Sequence, residues 1–231
     1  MIQNCPLLLF WKLVFTVKAI LFDMDGVLVD STAAVARVWR VWATKHGFDP
    51  GHVIAHAHGR RSIETVRALA PHLDAERENI RVEQMEIDDK DGVIALPGAV
   101  ELLRSLPPER YAIVTSATRP LAEARMGYAG LPIPKGRLVG GDDVQHGKPS
   151  PEPYLKGAAL LGFTAGECLV FEDAPAGVAA ARAAGMRVIA LHTTCPAHEL
   201  HAAEAVVASL AEVKAQFHDE IITLHANAVS A

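Results

Sequence analysis

Two carboxylates spaced two residues apart, Asp23 and Asp25, end a short apolar run and are followed at once by Gly26. In an extended strand, side chains i and i+2 share one face. Two anions on one face are costly unless something cationic offsets them. A hard divalent cation with a phosphate group, at the carboxyl end of a strand in an open α/β sheet, would meet that need. The Asp-x-Asp-Gly pattern also opens ordinary turns and some calcium loops. A calcium loop needs further oxygen donors, and Val27, Leu28 and Val29 carry none on their side chains.

Three later segments add the complementary groups. Residues 111–118 form an apolar run ending in the hydroxyls of Thr115, Ser116 and Thr118. Alternation along a strand puts Thr115 opposite Ser116, so Ser116 is the expected anion donor, helped by backbone N–H groups after it, beginning at Ala117. Residues 147–153 hold Lys148 in a proline-rich turn that leads into a helix. An exposed turn lysine is usually just solvated; here the stiff setting between Gly147 and Pro149 favours a fixed role. Residues 169–177 end a strand in Glu172 and Asp173. If these strands lie side by side, carboxylates, hydroxyl and ammonium meet in one phosphate-plus-metal pocket.

With these four segments in order, residues 17–209 resemble the haloacid dehalogenase superfamily. The details are most similar to its bacterial sugar phosphatases and its fungal glycerol-phosphate and deoxyglucose-phosphate phosphatases. The resemblance implies Mg²⁺-dependent hydrolysis of a small sugar or polyol phosphate through an aspartyl-phosphate. It makes Asp23 the nucleophile and Asp25 the acid and base, a residue that phosphate-transferring relatives carry and the dehalogenases lack. Ser116 and Lys148 would bind the phosphoryl group. Asp23, the backbone carbonyl of Asp25 and Asp173 would hold the metal, with Glu172 acting through water or bracing the shell. A β-phosphoglucomutase is the alternative, built on the same motifs. Mutases of that kind place a histidine where Val35 stands and an arginine at the position aligned with Ser62. A catalytically silent phosphate-binding protein would require a lost catalytic group, and none is lost.

The elements that must position these groups follow from periodicity. Short apolar strands at 17–22, 111–115, 137–140, 168–172 and 187–191 alternate with helices at 99–106, 121–129, 152–161 and 176–184. That alternation predicts a Rossmann-like α/β core, a parallel sheet wrapped by helices. Between 31 and 96 no strand-like run occurs, and helical segments at 31–46, 62–69 and 74–87 predict a small helical cap inserted after the first strand. The core is expected over 17–30 and 97–215, hinged near Asp30-Ser31 and Leu96-Pro97, with 216–231 a frayed tail. In the cap, the loop His58-Gly59-Arg60-Arg61-Ser62 is the candidate substrate loop, with Arg61 the candidate contact. Glu83 and Glu86 read as solvated helix faces, and Asp142-Asp143 as a loop ahead of Lys148. His192, Cys195, His198 and His201 lack the spacing of structural zinc sites.

Composition bounds the remainder. Half of the 231 residues are hydrophobic, enough for a normal globular core. A net charge of −5 gives no footprint for nucleic acid or an anionic membrane. Three scattered cysteines, Cys5, Cys168 and Cys195, fit a reducing cytoplasm better than a disulfide scaffold. Nothing fixes oligomeric state beyond a monomer or weak homodimer. Residues 1–16 are expected to lie outside the native fold: the apolar stretch 6–11 is too short for a membrane span and lacks the basic flank of a secretory signal.

Overall fold

The computed structural model describes residues 13–228; the apolar stretch 6–11 and Cys5 lie outside them. The chain opens with β1 (Leu13–Val17), β2 (Ala19–Phe22) and the short β3 (Val29–Asp30). Four helices follow: α1 (Thr32–His46), α2 (Pro50–Ala57), α3 (Ser62–Leu69) and α4 (Ala75–Asp88). After β4 (Ile94–Ala95) come α5 (Ala99–Ser105), β5 (Tyr111–Val114), α6 (Arg119–Tyr128) and β6 (Leu138–Val139). The chain then runs through α7 (Glu152–Leu161), β7 (Cys168–Glu172), α8 (Pro175–Ala183), β8 (Arg187–Leu191) and β9 (Ala205–Val207). It closes with β10 (Val213–His218) and β11 (Ile221–Ala226).

Six strands form a parallel sheet in the order β6-β5-β2-β7-β8-β9. The strands β2, β5 and β7 are buried along their whole length, as strands covered on both faces must be. Their alternating side chains feed two core layers. Ile20, Phe22, Ile113, Leu169 and Phe171 point into one, and Leu21, Ala112, Val114 and Val170 into the other. Phe22 stacks on Phe171 at 5.2 Å between ring centres. Because β5 and β7 flank β2, the carboxyl ends of the three motif strands are neighbours, which is what brings the candidate groups together.

The cap has its own core of Val38, Trp39, Trp42, Val53, Val66 and Val82. Its two connections to the sheet pair with each other, Val29 opposite Ala95 and Asp30 opposite Ile94. One cap helix, α2, escaped the sequence reading although its start is signed. Asp49 caps it by accepting from the His52 N–H at 2.7 Å, and Pro50 takes the first helical position. Gly51 and the histidines within it masked the helical pattern.

Two expectations about the ends are corrected. Residues 13–17 are β1, with Phe15 and Val17 buried in the main core, so the fold begins before residue 17. The expected tail from 216 is a hairpin instead. Asp219 and Glu220 form its two-residue turn, both at positive φ, as the tight turn of a twisted hairpin demands. On β11, Ile222, Leu224 and Ala226 face the core in strict alternation, and β1 and β10 flank it antiparallel.

Candidate active site

Asp23 is the first residue beyond β2, and its backbone N–H donates to the Phe171 carbonyl at 3.0 Å, which locks the strand end to β7. Asp23 is 8% exposed, and its carboxylate accepts from Lys148 Nζ at 2.7 Å. Lys148 also donates to Glu172 Oε1 at 2.6 Å and to the Val114 carbonyl at 3.3 Å. One ammonium thus ties the ends of β2, β5 and β7. Burial disfavours its charge, but Asp23 and Glu172 outweigh that and hold it firmly protonated.

Glu172 is wholly buried, and its oxygens are fully used. Oε1 accepts from Lys148 and from Tyr154 Oη at 2.7 Å; Oε2 accepts from the backbone N–H groups of Asp173 and Ala174 at 2.9 and 3.1 Å. With about four acceptor sites on a carboxylate, these four donors engage Glu172 fully. Glu172 therefore braces Lys148 and the start of α8, one of the two roles the sequence left open. The space it occupies requires Gly177: any Cβ there would run into the pinned carboxylate.

Asp173 is buried and accepts from the Thr194 hydroxyl. Asp23, Glu172 and Asp173 offer oxygens all within 4.8 Å of one another. Burial raises Asp23 to about 7, Lys148 opposing and Glu172 adding to the rise. Burial likewise lifts Asp173 well above the carboxylate range, helped by Glu172 and Asp23. One ammonium does not balance three carboxylates, and the donors are all hard oxygen. The residues present fit a hard divalent cation.

The turn after β2 aims the second acid. Gly26 sits at φ +78°, and a Cβ there would strike the Asp173 carboxylate, so glycine is required twice over. The Gly26 carbonyl accepts from the Thr193 hydroxyl. Asp25 accepts from Ser31 Oγ at 2.6 Å on one oxygen and from Arg125 Nη1 at 2.7 Å on the other. Its partners are a hydroxyl and a guanidinium. Its side chain stands outside the three-carboxylate group, leaving its backbone carbonyl as the group it could offer a metal.

A cavity of about 520 Å³ opens over these residues, between core and cap. Asp23, Asp25, Ser116, Ala117, Lys148 and Asp173 line its floor; Val35, Trp39, Ile54, His58, Arg60 and Glu86 line its cap side. Ser116 Oγ donates to the Gly59 carbonyl of the cap loop at 3.2 Å, and the Ala117 N–H donates to Thr115 Oγ1 at 3.1 Å. Thr115 lines the cavity too, because β5 ends at Val114 and strand alternation ends with it.

Arg61 does not reach the cavity. Its guanidinium pairs with Glu64 and donates to the carbonyls of Gly141, Val144 and Gln145, pinning the cap loop to a core loop. Arg60 is the loop arginine that lines the cavity. Glu86, expected in solvent, is 6% exposed and faces Arg125 at 3.1 Å. Burial raises it to about 7 despite Arg125. Asp142 and Asp143 engage Arg119, as loop residues would.

The description haloacid dehalogenase-like hydrolase matches residues 17–185. Hexitol phosphatase A of Escherichia coli is 43% identical over 201 residues, spanning 85% of this chain and 93% of its own. Glycerol-1-phosphate phosphohydrolase 2 of Saccharomyces cerevisiae is 41% identical over 191 residues, 77% of this chain and 76% of its own. Among solved structures, a hydrolase from Pseudomonas syringae superposes with a TM-score of 0.76 at 29% identity, covering 84% of this chain and 94% of its own.

Proposed function

This chain belongs to the haloacid dehalogenase-like hydrolases, and we propose that it hydrolyses small sugar or polyol phosphates through a phosphoryl group carried on Asp23. That it is a phosphatase of phosphate monoesters follows from its family and its phosphatase relatives; the residue roles are the proposal. The observation that carries it is Lys148 held between Asp23 and Glu172, with Asp173 beside them, at the ends of three adjacent parallel strands.

An Asp23 oxygen attacks phosphorus, and the ester P–O bond breaks. Asp25 gives its proton to the departing alkoxide, a transfer worth ~10²–10⁴-fold in rate. Water then attacks phosphorus, Asp25 takes its proton, and the aspartyl P–O bond breaks to release inorganic phosphate. Lys148 and the Ser116 hydroxyl stabilise the equatorial oxygens in both steps. Mg²⁺, held by Asp23, Asp173 and the Asp25 carbonyl, would offset charge on the phosphate and keep Asp23 ionised. Glu172 keeps Lys148 in place. The cap covers the cavity from above and restricts water.

Beyond the phosphate, the cavity offers Trp39, Val35 and Ile54 beside Arg60 and Glu86. Such a mixed wall suits a small hydroxylated leaving group. No described helix is long and apolar enough to cross a membrane. The unpaired thiols of Cys168 and Cys195 are in keeping with a cytoplasmic enzyme.

Phosphorus NMR tests the reading against a phosphomutase. With Mg²⁺ and a hexose phosphate or hexitol phosphate, inorganic phosphate should accumulate as the phosphorus product, and EDTA should stop it. Build-up of an isomeric sugar phosphate, stimulated by a sugar bisphosphate, would overturn it. Val35 and Ser62 both line the cavity and carry neither imidazole nor guanidinium with which to hold a bisphosphate through reorientation.

A further inference from the structure

Three contacts join α4 of the cap to α6 of the core. Thr118 Oγ1 donates to Glu83 at 3.1 Å, Arg125 stands 3.1 Å from Glu86, and Tyr128 Oη donates to the Ile87 carbonyl at 2.7 Å. Thr118 is the N-cap of α6 and lies in line with its positions 125 and 128, and 83, 86 and 87 share a face of α4, so the contacts form one seam. The middle one continues further. While Nη2 of Arg125 meets Glu86, Nη1 meets Asp25 at 2.7 Å. The other oxygen of Asp25 is taken by Ser31, at the point where the chain leaves β3 for the cap. Asp25 is thus gripped from the start of the cap through Ser31 and from the α4–α6 seam through Arg125.

A guanidinium is a rigid planar fork, so the carboxylate bound at one tip constrains where the other tip points. We propose that Arg125 is a positioning residue for Asp25, aimed by Glu86 of the cap, so that docking of α4 on α6 sets the geometry of proton transfer. This rests on the reading of Asp25 as the acid and base. The competing account is a buried ion pair that merely stabilises the seam. The two differ in which substrates suffer. A misplaced acid matters when the leaving group is a poorly acidic alcohol and matters little when it is an acidic phenol. A loss of general stability would lower both alike.

The test compares kcat/KM for sorbitol phosphate and for p-nitrophenyl phosphate, since kcat/KM reports steps through departure of the first product. The variants are Arg125→Met, Arg125→Lys and Glu86→Gln, with Asp25→Asn as reference and thermal melting as the check on folding. Arg125→Met should lose ~10²-fold with sorbitol phosphate, the scale on which a displaced catalytic group costs rate, and far less with the aryl phosphate. Arg125→Lys, which cannot span both carboxylates, and Glu86→Gln should show the same selective loss at roughly tenfold. These two carry the test if Arg125→Met does not fold. Equal losses on both substrates, no loss, or a gain would overturn the positioning role. Selectivity in Arg125→Lys with none in Glu86→Gln would overturn the part assigned to the cap. If Asp25→Asn itself shows no selectivity, the acid assignment falls, and the proposal falls with it.

Discussion

At the scale of single residues, the site is an imbalance of charge held in place by hydrogen bonds. Lys148 and three further donors on Glu172 fix one carboxylate as a brace, which leaves Asp23 and Asp173 short of compensation. Burial holds Asp23 at about 7, against an ordinary carboxylate near 4. The metal-free protein therefore keeps protons that a bound divalent cation must displace. Mg²⁺ binding at about pH 6 should release at least one proton per ion, and affinity should climb as pH rises through about 7. Calorimetry in buffers of different ionisation heat checks both; binding without proton release would contradict the charge account. That Asp23, Asp173 and Lys148 meet was legible in the sequence, because the two acids stand abruptly at the ends of apolar runs and Lys148 stands alone in a stiff turn between Gly147 and Pro149. Arg125 and Glu86 were not legible, because each lies in the last turn of a helix, where charge usually means solvent. Their burial depends on facing each other across two elements far apart in sequence. Arg61 misled for the related reason that an arginine in a substrate loop has carbonyls as well as phosphates to bind.

At the scale of elements, hydrophobic periodicity recovered the parallel strands and most helices, since their signal is local. It missed α2, and in α4, which it placed, it misjudged the buried face, where Glu78 and Glu86 lie with Val82 while Ile80 is 68% exposed. Trp42, His46 and Arg81 satisfy Glu78, and Arg125 faces Glu86, so partners and not hydropathy decide that face. It failed again at the C-terminus, where Asp219-Glu220 lacks the Asn-Gly signature of a tight hairpin although 221–226 alternates strictly. The three-stranded sheet of β1, β11 and β10 is consequently part of the fold. Phe15 is 2% exposed, with the Arg187 guanidinium over its ring at 4.4 Å, and Ile222 is fully buried. Phe15→Ala should cost ~3–5 kcal/mol and Ile222→Ala ~2–5 kcal/mol in urea unfolding. Changes below roughly 1 kcal/mol in both would mean that this sheet adds little to the core.

At the scale of the whole molecule, a two-layered core presents three strand ends, and a cap with its own core lies over them, joined by two paired strands. On the proposed reading the core supplies chemistry common to many phosphate esters, and the cap residues lining the cavity meet the leaving group. The doubly covered sheet and the inserted cap were readable from alternation and its interruption; the α4–α6 seam, a matter of tertiary docking, was not. What the arrangement asks of the molecule is that phosphate pass through Asp23. The most direct measurement is acid quenching of the Mg²⁺-loaded enzyme during turnover of a hexitol phosphate, followed by peptide mapping of the phosphoryl group by mass spectrometry. The account predicts an acyl-phosphate on Asp23, and a folded Asp23→Asn variant that carries no phosphoryl group and releases no phosphate. Phosphate release by Asp23→Asn at a rate near that of the unaltered protein, or a phosphoryl group mapped to another residue, would contradict it.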